Sequence, residues 1–217
     1  MCTMVMKETI DYYTASNGTV YCSLLDATKA FDRIHYCKLF RCLIDRKLPA
    51  VILRLLISMY TNHVTRIVWN GVQSRWFGLM NGVRQGGVLS PVLLNLLCVY
   101  VDGLLKSMQS TGVGCFIGNI YTGILAYADD IVLLAPNTNA ARKMLRVCEE
   151  YAAAYSVKFN ADKSYCIVCE SRFKSKACIP STVSLIINSL LTHLGHVISR
   201  DFNDSLDVMR CRDKLIG

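Results

Sequence analysis

Two apolar runs dominate the chain. Residues 20–25, Val-Tyr-Cys-Ser-Leu-Leu, are β-formers leading directly into Asp26, and residues 124–135 are apolar apart from Tyr127 and the adjacent Asp129 and Asp130. Runs of this length and composition predict buried strands, the second a hairpin with its turn at the two carboxylates. Helical spacing marks Leu39, Phe40, Leu43 and Ile44, then Val51, Ile52, Leu55, Leu56 and Met59 behind Pro49. Residues 92–106 follow Ser90-Pro91, a cap and a first-turn proline, and are apolar on most sides. A helix to about Tyr155 is expected to be capped by Thr138 or Asn139, with Met144, Leu145, Cys148, Tyr151 and Tyr155 inward.

Between these lie shorter elements. Val64–Trp69 and Trp76–Phe77 flank Asn70-Gly71, a strong hairpin turn. A short amphipathic stretch precedes Asn17-Gly18, and Cys115–Ile117 precedes a Gly118-Asn119 turn. Val157–Phe159 reads as a short strand, residues 160–163 as a polar turn, and 183–187 with 193–198 as a late hairpin. The order strand (20–25), helix (91–106), hairpin (124–134), helix (139–155), strand (157–159) is that of an α+β, ferredoxin-like (split βαβ) sheet. Helices would cover one face and leave the other open, with additional helices and hairpins around it. In that plan Asp26 and the Asp129-Asp130 tip meet, although about a hundred residues separate them.

Composition narrows the class. The 217 residues are 53% hydrophobic and 18% charged, a globular balance, with net charge +8 that suits a polyanionic partner. The first ten residues lack the sustained apolar core of a secretory signal. The most apolar stretch, 88–101, is interrupted by Ser90, Pro91 and Asn95 and is too short to span a bilayer. No membrane partner is expected, and eleven cysteines without a signal point to reduced thiols in an intracellular protein. Cys166, Cys169 and Cys178 with His193 and His196 have zinc-like spacing, but a strand through 165–169 would turn Cys166 and Cys169 to opposite sides.

The candidate chemistry is carboxylate chemistry. Asp26 closes a buried strand, and two Asp side chains in an apolar hairpin are costly unless cations or donors meet them. The plain alternative is a solvated Asp-Asp turn. Gathered on an open sheet, such carboxylates can hold two Mg²⁺ ions, about 3.5–4 Å apart in two-metal sites. Asn81–Gly87 places three glycines ahead of a helix N-terminus, where backbone can approach a phosphate closely. The four histidines are scattered, and no Ser-His-Asp or Cys-His nucleophile pattern emerges.

Three segments then carry a resemblance. Leu25-Asp26-Ala-Thr-Lys-Ala-Phe31-Asp32, Asn81-Gly-Val-Arg84-Gln85-Gly86-Gly87-Val-Leu-Ser-Pro91 and Tyr127-Ala-Asp129-Asp130 resemble motifs A, B and C of reverse transcriptases, in the style of non-LTR (LINE-type) retrotransposons. The likeness covers about residues 8–217. It implies a polymerase palm at 20–170, a primer-grip-like hairpin at 171–200 and the start of a thumb helix at 201–217. Residues 1–19 would be a residual connection to absent fingers.

It further implies Asp26 and Asp129 as ligands of catalytic Mg²⁺ (or Mn²⁺), with Asp130 as a third carboxylate. Phe31 would be the ribose 2′-hydroxyl gate, and Arg84, Gln85, Gly86 and Gly87 the support for nucleotide and template. Lys163 would be a proton donor to pyrophosphate, and Leu194-Gly195 the primer grip. The implied partners are an RNA template with a DNA primer, and dNTPs. Only Lys7 precedes Asp26 as a basic residue, so the triphosphate grip of the fingers is expected to be missing, as are thumb and endonuclease. A partial reading frame, weak or inactive by itself, is therefore expected. A non-catalytic nucleic-acid-binding remnant, a cyclase on the same sheet and a chain that fails to fold stably are the alternatives.

Overall fold

The computed structural model describes residues 2–27, 35–61, 63–78, 82, 101–127, 130–155, 157–170, 186–187, 190–193, 196–199, 209–210 and 212. The elements are α1 (Cys2–Ala15), β1 (Thr19–Asp26), α2 (Tyr36–Asp45), α3 (Ala50–Thr61), β2 (Val64–Thr65), β3 (Val68–Trp69), β4 (Val72–Gln73) and β5 (Phe77–Gly78). A helix over 101–110, here α4, precedes β6 (Phe116–Ile117), β7 (Ile120–Tyr121), β8 (Ile124–Tyr127), β9 (Asp130–Ala135) and α5 (Thr138–Tyr155). Beyond them come a 3-10 turn (Ala161–Lys163), β10 (Tyr165–Glu170), β11 (Ile186–Ile187), β12 (Leu190–His193) and β13 (His196–Ser199). Residues 209–210 and 212 are helical.

The central sheet has the order β11-β10-β1-β9-β8. β1 runs antiparallel to both β9 and β10, and β8 antiparallel to β9. Strand alternation sorts the core into two layers. Tyr21, Leu25, Ile131, Leu133 and Val168 meet Leu104 and Met108 of α4 and Met144 and Cys148 of α5. Val20, Cys22, Leu24, Val132, Leu134, Ile167 and Cys169 form the other side, against Met6 and Ile10 of α1.

This second layer corrects one expectation. The face expected to be open is covered, because α1 lays Met6 and Ile10, both fully buried, across it. A strand buried on both faces must be apolar almost throughout, which is why 20–25 shows no polar alternation. The inner face of α1, with Met6, Thr9 and Ile10, thus belongs to the sheet's core. The reversal from α1 into β1 is tight: Asn17 has φ 57°, and Gly18 N–H donates to Tyr13 O at 2.7 Å. A Cβ at Gly18 would stand 2.6 Å from that same oxygen.

Three further boundaries differ from expectation. Residues 157–159 form no strand; Phe159 makes only an isolated bridge to Ala27, and the strand beside β1 is β10, at 165–170. The polar turn at 160–163 ends the approach, and the apolar alternation resumes only after it. Asn137 caps α5, its Oδ1 accepting from Ala140 N–H at 2.8 Å; its side chain reaches the orphan donor three residues on, which Thr138 and Asn139, already inside the first turn, do not. The late hairpin pairs 190–193 with 196–199, leaving a two-residue connection, while 186–187 joins the main sheet parallel to β10.

α2 and α3 form a separate cluster: Tyr36, Leu39, Phe40, Leu43, Leu56 and Tyr60. Arg46 at the end of α2 meets Asp102 of α4 at 2.6 Å, and Lys106 meets the same carboxylate at 2.9 Å.

Among the described residues four cysteines are buried: Cys22, Cys115, Cys148 and Cys169. Cys169 lies in the α1 layer, whereas Cys166 stands at the opposite strand parity, and among the described residues no metal-binding cluster forms. Burial pushes the thiols of Cys115 and Cys148 up to about 12. Below about pH 8 these thiols are protonated in both folded and unfolded chains and stability is independent of them. Between about 9 and 12 only the unfolded chain loses the protons, so stability falls as pH rises, by at most about 1.4 kcal/mol per pH unit for each group. Urea midpoints at pH 7.5, 9 and 10 are expected to decline, and Cys148→Ala to flatten the decline.

Candidate active site

The site grows out of β1. Its apolar run ends at Asp26, half-buried where the strand leaves the core. On one side Asp26 is the register partner of Asp130, the first residue of β9, and Asp130 is in turn the partner of Tyr127 at the end of β8. Directly opposed residues of an antiparallel pair project to the same face with Cα atoms about 4.5–5.5 Å apart. Two carboxylates so placed repel each other unless a cation or donor lies near. An all-oxygen, doubly anionic pair is the chemistry of a hard divalent ion such as Mg²⁺.

The other side of Asp26 is held by a loop. Asp26 N–H donates to Ser164 Oγ at 3.2 Å, and Asn160 N–H donates to Asp26 O at 2.8 Å. Asn160 also folds its own loop, its side chain accepting from Asp162 N–H at 3.1 Å. Neighbouring strands and this loop therefore fix the backbone of Asp26 from both directions. Lys163, exposed, is the last residue of the 3-10 turn and adjoins Ser164, so it sits at the same end of β1. Ser164 and Asn160 were missed as positioning residues; the Asn-x-Asp pattern signals a local turn, but nothing in the sequence says which strand end it closes on.

Ser164 is 1% exposed, and losing its hydroxyl leaves the Asp26 N–H without this acceptor. Ser164→Ala is expected to cost about 1–3 kcal/mol, read in a urea melt, and to weaken divalent-cation binding at the acidic edge as Asp26 loosens.

The structure thus brings Asp26, Asp130 and Lys163 to one end of the sheet. Asp129, Phe31, Arg84, Gln85, Gly86, Gly87, Leu194 and Gly195 lie outside the described residues. Gly82, at the start of the glycine-rich segment, is described: Tyr36 Oη donates to its carbonyl at 2.9 Å, tying that segment to α2. No helix among the described residues is long and apolar enough to cross a membrane.

Comparison with known proteins decides the family. The model for "Reverse transcriptase (RNA-dependent DNA polymerase)" matches residues 3–196, most of the chain. The chain belongs to the reverse transcriptase family. Its relatives among curated proteins include Pol polyproteins of R2 elements, the non-LTR class: 29% identity over 169 residues with R2DM of Drosophila melanogaster, covering 78% of this chain and 16% of that protein. The R2 polyprotein of Nasonia vitripennis is 30% identical over 182 residues, covering 82% and 17%. That of Popillia japonica is 31% identical over 186 residues, covering 83% and 26%. This reverse transcriptase chain therefore spans about a sixth to a quarter of the relatives' length. Its fold is similar to telomerase from Candida tropicalis in a complex with a fragment of telomeric RNA, with TM-score 0.64 at 15% identity, covering 94% of this chain and 32% of that one.

Proposed function

We propose that the acidic end of the sheet is the metal-binding centre of an RNA-directed DNA polymerase palm, which extends a primer 3′-hydroxyl with dNTPs on an RNA template. The observation that carries this reading is the register pairing of Asp26 with Asp130, within a family whose model spans nearly the whole chain. The strand order β10-β1-β9-β8, with α4 and α5 on one face, supports the split βαβ plan of a palm over residues 20–170.

In this reading Asp26 and Asp129 hold two divalent cations, Mg²⁺ or Mn²⁺, with Asp130 as the additional carboxylate. Bound there, the ions lower the pKa of the attacking hydroxyl and neutralise the departing pyrophosphate. The chain's own contribution is placement. β1, β9 and the Ser164 loop fix the backbone that presents Asp26, so little reorganisation accompanies reaction. Phe31 closes the space beside the sugar 2′ position, and Arg84 with Gln85, Gly86 and Gly87 supports nucleotide and template. Lys163 donates a proton to pyrophosphate from the turn beside Ser164. Leu194-Gly195, between β12 and β13, seats the primer through backbone groups, and 201–217 begins the thumb.

The reading is tested by dNTP incorporation on a primed RNA template, with Asp129→Asn as the reference. Incorporation indifferent to Asp129 would sink the catalytic assignment.

A further inference from the structure

Away from the acidic edge, an exposed aromatic surface has no part in the proposed polymerase centre. The hairpin 64–78 carries both tryptophans of the chain, and both are exposed: Trp69 at 77% and Trp76 at 60%. Strands β3, β4 and β5 are exposed at every position, so this hairpin does not bury its aromatic rings in the core. It is nevertheless well defined. Asn70 and Gly71 both take positive φ, 49° and 78°, as a two-residue hairpin turn requires. Below the turn, Ile67 N–H donates to Ser74 Oγ at 2.9 Å and Ser74 N–H to Ile67 O at 2.9 Å.

The register holds a bulge. Val68 pairs with Gln73, whereas Thr65 pairs with Phe77, so the returning strand carries one residue more between these pairs than the outgoing one. Bulges re-aim side chains, and Trp76 lies in this one. The Arg66 guanidinium stands 4.8 Å from the Trp76 ring centroid and also donates to Gln73 Oε1. An indole, a guanidinium stacked on it and an amide therefore form one exposed aromatic and cationic surface, with Trp69 near the tip.

Charge selects the occupant. From Asp45 to Asp102 the chain has no carboxylate between, while Arg46, Lys47, Arg54, Arg66, Arg75 and Arg84 are all cationic. Large exposed aromatics on a stretch devoid of acids suit a polyanion whose bases present open π faces. That describes a single strand better than a duplex, where the bases are stacked away.

We propose that the hairpin 64–78 is a stacking platform for single-stranded nucleic acid, with Trp76 and Arg66 as its centre. It deepens the polymerase reading, on which it rests for its partner class, by adding a contact for the unpaired strand outside the metal centre. A base stacks on the indole–guanidinium pair while Arg66 and Arg75 neutralise flanking phosphates. Arg66 alone serves both base and backbone, so its charge reversal is expected to exceed that of Arg75.

The chain provides its own probe, because any tryptophan emission comes from this hairpin. Titrating the full chain with unlabelled oligo(U) and, separately, oligo(dT) at low salt is expected to quench that emission saturably and to reverse with added salt. The two arms distinguish RNA from DNA. Trp76→Ala, followed by anisotropy of a labelled oligonucleotide, is expected to weaken binding about 5- to 100-fold, the range for loss of one stacking partner. Trp76→Phe, which keeps a ring, should restore it to within a few-fold, and a circular dichroism melt checks each variant's fold. Emission unchanged by either oligonucleotide overturns the proposal. So does equal affinity in Trp76→Ala, or a concentration-dependent self-association that Trp76→Ala abolishes in the absence of nucleic acid. Mn²⁺ binding is measured in parallel by electron paramagnetic resonance. Quenching without Mn²⁺ binding sinks the metal-centre reading alone, and Mn²⁺ binding without quenching sinks the platform alone.

Discussion

Asp26→Asn is expected to abolish divalent-cation binding at the sheet edge and, in any form of the protein that polymerises, to lower incorporation about 10³-fold or more. The substitution keeps the shape of the side chain and removes one negative charge. Asp26 and Asp130 are direct cross-strand partners, so the charge they share attracts a cation. Without metal the variant should stay within about 1 kcal/mol of the parent, because its side chain keeps its shape and loses one charge of a cross-strand pair. With millimolar Mg²⁺ the parent gains stability through binding and the variant does not, since only a ligand that favours the folded state raises its melting point. Melting curves with and without Mg²⁺, beside Mn²⁺ binding and single-nucleotide incorporation, separate a ligand role from a structural one. Equal Mg²⁺ stabilisation of both proteins would refute the role given to Asp26.

The second large effect concerns α1. Ile10 is fully buried between this helix and the sheet, in the layer with Val20, Cys22, Val132, Leu134 and Ile167. Ile10→Ala removes apolar contact and leaves a cavity in a layer of well-packed strands, a loss of about 2–5 kcal/mol. For a domain of this size that corresponds to a melting point lower by roughly 5–15 °C. Ile52 on α3 has the same side chain at 47% exposure, and Ile52→Ala is expected to stay within about 0.5 kcal/mol of the parent. The contrast is the informative measurement. If the two variants melt alike, α1 is not part of the sheet's core, and the sheet has the open face that the sequence suggested.

The α1 contact shows where sequence reading reached its limit. The apolar continuity of 20–25 showed a buried strand, but it did not say what covered the second face. A short amphipathic stretch at 2–15 carries no signal of its partner. Similarly, 157–159 has strand composition, yet the sheet continues only at 165, because the loop between must first close on the backbone of Asp26 through Asn160 and Ser164.

By itself the sequence determined the strand ending in Asp26, a hairpin over 124–134, the helices α2, α3 and α5, the Asn70-Gly71 turn and, through three ordered motifs, the family. These are local patterns, set by side-chain periodicity and turn chemistry over a few residues. The apolar stripe it marked on α3 is instead mostly exposed at Val51, Ile52, Leu55 and Met59, with only Leu56 of that set buried. Only the tertiary structure decided that Asp26 and Asp130 are cross-strand partners, that α1 closes the second face, that Ser164 steadies Asp26, and that Arg66 lies over Trp76 across a bulge. Each of those depends on register and packing between segments distant in the chain or offset by a single residue, and a one-residue slip would turn every side chain to the other face.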